Sequence, residues 1–160
     1  MGTKRVGWAR IRSLINENAN QLGPRYVKTR AALTADTTLT AADYGSLVLI
    51  DASSAGNITV TLPTTPALGA EYTFALSVNS NAAAQAVVDS GANNKIEGFA
   101  VQLAASSNAT AYHSHRILGF DDSAKRGSMF HIVCVDATVG AVRWLVTDSK
   151  CDLAFINAIS

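Results

Sequence analysis

Charge and aromatic rings are both scarce in this chain. Of its 160 residues, 16% are Asp, Glu, Lys or Arg and 7% are Phe, Trp or Tyr. So little charge excludes a disordered acidic or basic chain. The apolar share is 48%, but Ala supplies much of it, which points to a sheet protein of small side chains rather than a deep enzyme core. The two cysteines, Cys134 and Cys151, are too few for a disulfide framework. Cys134 lies in "FHIVCVDA" and reads as a small core residue. Pairing with Cys151 is not expected in a protein made in a cytoplasm. No apolar run approaches the roughly 18 residues that span a bilayer, and the N-terminus lacks the apolar stretch of a signal peptide. A soluble protein made in a cytoplasm, with no membrane partner, is therefore expected. No G-x-S-x-G, P-loop or dinucleotide fingerprint is present, and no Ser, His and Asp spacing selects a triad. The expectation is a non-enzymatic protein without a cofactor.

The net charge of +1 hides a split. Residues 1–30 carry Lys4, Arg5, Arg10, Arg12, Arg25, Lys28 and Arg30 against Glu17 alone, a net +6; the rest of the chain carries six basic and eleven acidic residues, a net −5. Such asymmetry marks a basic arm on a mildly acidic body. In the arm, Trp8, Ile11, Leu14, Ile15, Ala19 and Leu22 recur at helical intervals, with Arg10, Arg12, Ser13, Glu17 and Asn20 on the other side. Gly23-Pro24 supplies the stop. The spacing predicts an amphipathic helix of about four turns, too short to be stable alone in water. Its apolar stripe needs a surface: its own body, sister copies or a partner. The expected organisation is an arm over residues 1–25 and a body over 26–160.

The body reads as strands and turns. Alternation or apolar runs mark strands at 46–52, 57–62, 71–78, 84–90, 100–105, 109–119, 128–138 and 142–148. Gly, Asn, Ser and Pro mark the turns between them. Many short strands with polar turns, and no helical stretch between them, predict a mainly β body: an antiparallel β-sandwich or jelly roll. The C-terminal "CDLAFINAIS" is apolar and suits either a last strand or packing on a sister subunit.

Chemistry-bearing residues are few. His113 and His115 in "YHSHR" would share one face of a strand. A metal site needs further ligands, and His131 is the only other histidine. Around a threefold axis three such pairs would supply six nitrogens; otherwise they are polar residues on a strand face, and no metal is assigned. Asp121-Asp122, followed by Lys125 and Arg126, reads as a solvated loop. The basic arm could neutralise phosphates, yet the body lacks the aromatic platform of a single-strand binder. Arg beside Trp suits a protein interface, which makes a nucleic-acid partner the weaker reading.

The run "LTAADYGSLVLIDASSAGNITVTLPTTPALGAEYTFAL" (39–76) combines a D-x-G turn, an apolar strand, a small-residue turn, an I-T-V-x-L-P strand and G-x-x-Y-x-F. With "VVDSGANNKIEG" (87–98) and the opening "MGTKRVG", it resembles small phage virion structural proteins, in particular capsid decoration (cement) proteins of cyanophages and related marine phages. The resemblance implies a homotrimer that binds the major capsid protein on the outer surface of the virion and stabilises the shell. A short N-terminal element would grip the particle, here through Lys4, Arg5, Trp8, Arg10, Ile11, Arg12, Leu14, Ile15 and Leu22. A tail or head fibre, or a receptor-binding module, is the alternative, and a nucleic-acid binder the third. The chain shows no long shaft repeat, which favours decoration.

Overall fold

The computed structural model describes residues 28–29, 31–53, 56–80, 85–100, 110–120, 124–150 and 153–154. The helix expected over residues 1–25, with every arm residue named above, lies outside them. Strands follow one another as β1 (Lys28–Thr29), β2 (Thr37–Thr38), a 3-10 turn (Ala41–Asp43), β3 (Ser46–Ile50), β4 (Ile58–Thr61), β5 (Glu71–Leu76) and β6 (Ala86–Asp89). Then come β7 (Lys95–Ala100), β8 (Thr110–His115), β9 (Ile117–Phe120), β10 (Met129–Asp136), β11 (Arg143–Lys150) and β12 (Leu153–Ala154). Alternation decides which side chains turn inward. β3 buries Ser46, Val48 and Ile50; β4 buries Ile58 and Val60; β10 buries Phe130, Ile132 and Cys134.

The mainly β expectation holds, and the strands form two sheets. A seven-stranded sheet has the order β1-β3-β5-β10-β11-β7-β8, and a five-stranded sheet the order β12-β9-β6-β4-β2. The antiparallel, jelly-roll pairing is corrected: both sheets are mixed. β1–β3 and β3–β5 pair parallel in the larger sheet, β2–β4 and β4–β6 in the smaller. The reason lies in the winding. The first six strands alternate between the sheets, so each strand returns to its own sheet after one pass through the other. A parallel connection needs a crossover of a dozen or more residues, usually a helix; here the intervening strand of the opposite sheet serves. A strand that the sequence did not mark, β7, occupies 95–100, while the expected strand at 100–105 lies beyond Ala100 outside the described residues. The expected strand at 109–119 is broken at Arg116, where the chain leaves β8 in the larger sheet and enters β9 in the smaller.

The core lies between the sheets. Trp144, Tyr72, Phe74, Phe130 and Phe120 are all essentially inaccessible to solvent. Their rings make a relay with centroids 5.8, 6.0, 5.1 and 5.1 Å apart in that order. Phe120 belongs to the smaller sheet and the other four to the larger, so the relay staples the layers together. Leu39, Val48, Ile50, Val60, Leu62, Ile96 and Leu118 fill the space around it.

The winding gives the body two distinct ends. The chain returns from the larger sheet to the smaller between β3 and β4 and between β5 and β6 at one end, and passes from the smaller to the larger at 39–45, 62–70 and 90–94, all at the other. The β10–β11 connection at 137–142 lies there too, because β10 runs against β5 and β11 against β10. So does the break at Arg116, since His115 pairs with Ile96 near the start of β7. β1 begins at this end as well, with Lys28 opposite Ser46. The segment preceding Lys28 therefore joins the body at this end, at the edge of the larger sheet.

Candidate functional site

Asp89, the last residue of β6, anchors this end. Arg116 Nε donates to Asp89 Oδ1 at 2.9 Å and its Nη2 to Oδ2 at 2.7 Å, a two-pronged fork. The Gly91 amide donates to Oδ1 at 2.7 Å. Burial raises the affinity of the Asp89 carboxyl for its proton, but the Arg116 fork and the Gly91 amide outweigh it and hold its pKa below the usual value. Next in the chain, Ser90 donates both its N–H and its hydroxyl to the Arg116 carbonyl, at 3.0 and 2.9 Å. The residue at which the chain switches sheets is thus fixed by side chain and backbone together. Buried Asn94 continues the network, donating from Nδ2 to the Ser90 carbonyl at 2.6 Å and accepting the Val142 amide at 3.2 Å.

The other loops of this end are shaped by ordinary turn chemistry. Asp43 accepts the Thr40 N–H and hydroxyl, each at 2.9 Å, closing the 3-10 turn. Asp136 accepts the Thr138 hydroxyl at 2.6 Å and its amide at 2.9 Å, and these bonds keep the carboxylate ionised to lower pH than usual. The Tyr72 hydroxyl donates to the Thr40 carbonyl at 3.2 Å, and burial, then the nearby Tyr44 and Asp43, push its pKa well up. The 62–70 loop is tied to β10 because Gly69 N–H donates to the Cys134 carbonyl and Cys134 N–H to the Ala70 carbonyl, both at 2.8 Å.

Between these loops lies an open cleft of about 290 Å³ lined by Thr64, Thr65, Gly91, Ala92, Asn93, Asn94, Val139 and Gly140. Around it, this end is apolar where water is most accessible. Leu68 is 71% exposed, Val139 80%, Val135 46% and Leu145 37%. These are the exposed large hydrophobic residues among those described, and all sit in the 62–70 loop, the 137–142 loop or the adjoining halves of β10 and β11. The opposite end, with 51–57, 77–80 and 124–128, has none.

The residues singled out in the sequence fall as follows. Lys4, Arg5, Trp8, Arg10, Ile11, Arg12, Leu14, Ile15 and Leu22 are outside the described residues. His113 and His115 both lie on β8, and His115 is half-buried. His131 lies on β10, three strands away across the sheet order, with Nδ1 2.6 Å from Thr147 Oγ1 and Nε2 3.5 Å from Glu71 Oε2. Sheet order therefore does not bring it to the β8 pair. Among the described residues no group of three or more His, Cys, Asp or Glu side chains could hold a metal ion. Cys134 is buried and unpaired with another cysteine, and burial raises its thiol pKa. Also among the described residues, no helix is long and apolar enough to cross a membrane.

Sequence reasoning missed Asp89, Ser90, Asn94 and Arg116, and missed the apolar tips Leu68 and Val139. Arg116 inside an apparently continuous strand was the one available signal of the sheet switch.

No protein-family model matches this chain, and no curated protein matches it.

Proposed function

We propose that this chain is a non-enzymatic capsid decoration protein of a phage. It binds the major capsid protein on the outer shell as a homotrimer, anchored by its N-terminal arm, and stabilises the particle. One observation carries the reading: the basic, amphipathic segment before Lys28 joins the body at the same end that bears Leu68, Val135, Val139 and Leu145. A β body with one adhesive end and a cationic, Trp-bearing arm rooted there suits docking on a protein surface. The pinned crossings at that end hold its loops in shape, which lowers the ordering cost of binding. Many such bodies on a symmetric shell add multivalency, and binding to the assembled lattice but not to its dissociated parts stabilises the shell by mass action. The finer elements of this reading, the helical arm with Trp8, Ile11, Leu14, Ile15 and Leu22 as anchors and the threefold assembly, rest on the sequence.

Deletion of residues 1–24 tests it. The truncated body is expected to remain folded and soluble and to lose particle binding in a co-sedimentation assay. Undiminished decoration by the truncated body would refute the arm's role. Retention of the full chain on DNA, lost with the same deletion, would turn the reading to nucleic acid.

A second reading has its own observation. The 290 Å³ cleft presents Thr64, Thr65 and Asn93 beside the exposed Val139, a mix of hydroxyl, amide and apolar groups that suits a small polar ligand such as a sugar. A fibre tip or receptor-binding module would use it so. Saturable binding of host glycans by the purified chain, abolished by Asn93→Trp, would favour this reading.

A further inference from the structure

Leu68 is 71% exposed, yet the turn that carries it is held from both sides. The Ala70 N–H donates to the Ala67 carbonyl at 3.0 Å, which closes a β-turn over residues 67–70. Leu68 stands at the first corner of that turn. Gly69, at the second, has φ +79°, the positive angle that a type II turn requires there. On one flank the Gly69 N–H donates to the Cys134 carbonyl on β10. On the other, the Tyr44 hydroxyl accepts the Ala67 N–H at 3.2 Å, across 23 positions of sequence. Pro63 and Pro66 stiffen the approach, since the proline ring fixes φ. Tyr44 is itself held in place. Its ring meets the buried Tyr72 ring edge-on, with centroids 5.6 Å apart at 64°, and Tyr72 donates its own hydroxyl to the Thr40 carbonyl.

We propose that Leu68 is a preformed anchor for an apolar socket on the protein that this end docks on, and that Tyr44 is the residue that positions it. The proposal rests on the docking reading above. A free loop could turn Leu68 back onto the body, where burial favours an apolar side chain; the pinned turn denies it that route. A partner that meets a loose side chain loses affinity in ordering it, and a fixed one avoids that cost. Tyr44 itself makes no contact with the partner: its ring is spent on Tyr72 and its hydroxyl on the Ala67 amide. Ala67 is exposed, so its N–H would find water if the hydroxyl were gone. The bond therefore adds little to stability; what it fixes is where Leu68 points. The other exposed tip, Val139, is held separately, by the Val142 N–H donating to Asn94 Oδ1, and so serves as an internal control.

Tyr44→Phe keeps the ring and removes the hydroxyl, and two measurements on the full chain test its effect. In the free protein, the amide order parameters of Ala67 and Leu68 are expected at about 0.85, the value of rigid backbone, and below about 0.6 in the variant, with Val139 and the unfolding midpoint unchanged. On particles, the variant is expected to bind about threefold to tenfold more weakly, the cost of ordering a loose tip. Leu68→Asp weakens binding as well, and adding Tyr44→Phe to it is expected to lose nothing more, because Tyr44 acts only through Leu68. A merely structural residue would lower binding equally in both backgrounds. Order parameters that are low in the wild type or unchanged in the variant would overturn the positioning role and leave the docking reading intact. So would a Tyr44→Phe effect on binding that persists beside Leu68→Asp. Absence of particle binding by the wild type, with the order parameters as expected, would instead refute the docking reading and the anchor with it.

Discussion

Asp89 and Arg116 stand 27 positions apart and meet in a two-pronged ion pair. Asp89 is 12% exposed but Arg116 36%, so solvent screens part of the attraction. Asp89→Asn is expected to cost about 1–2 kcal/mol, read from urea midpoints, because it weakens the fork and the cap on the Gly91 amide. The sign of its pH dependence follows from the lowered pKa. The stabilisation is complete above the ordinary carboxylate value near 3.9 and is lost as pH falls through the lower folded value. The wild type should therefore lose stability faster than the variant below about pH 4; equal slopes would deny the pair this role. Gly98 makes a second residue-scale case. Its φ is +133°, and an added Cβ would meet the Val146 carbonyl oxygen at 2.7 Å. Gly98→Ala is expected to cost more than about 2 kcal/mol in thermal or chemical unfolding. A neutral outcome would mean that β7 and β11 separate easily.

At the scale of elements, the legible parts were the local ones. β3, β4, β5, β6, β10 and β11 were visible because each alternates or runs apolar between turn residues. β7 was not, because Gly98 interrupts "KIEGFA", where it allows the close approach of β11. The Arg116 break was hidden because the partner that fixes it, Asp89–Ser90, lies in another strand. Parallel pairing was equally invisible: nothing local distinguishes a strand that returns as a hairpin from one that crosses to the opposite sheet. At the strand ends Asp43, Asp51 and Asp136 each cap a nearby backbone amide, which is local turn chemistry. The loop tips carry the element-scale prediction. Leu68→Asp and Val139→Asp change side chains that touch mostly water, so stability should move by less than about 0.5 kcal/mol, while particle binding falls at least about tenfold if each contributes about 1.4 kcal/mol or more to docking. Unfolding midpoints and co-sedimentation separate the two effects; unchanged binding would remove these tips from the interface.

At the scale of the molecule, alternating strands make a two-layer coil that crosses at both ends, and one of these ends carries all the exposed large apolar residues among those described. The core, the ring relay and the polar pins all serve to hold that end in shape. Of the candidate site, the arm expected over residues 1–25 lies outside the described residues, and the apolar surface near Lys28 could not be read from the sequence, because Leu68, Val133, Val139 and Leu145 come together only through sheet order. The central claim is that this shape serves a shell. It is tested most directly by the copy number of the protein in purified virions, measured against the major capsid protein by quantitative mass spectrometry. A copy number of the same order as the shell protein is expected. A copy number matching the tail components, or absence from the particle, would contradict it.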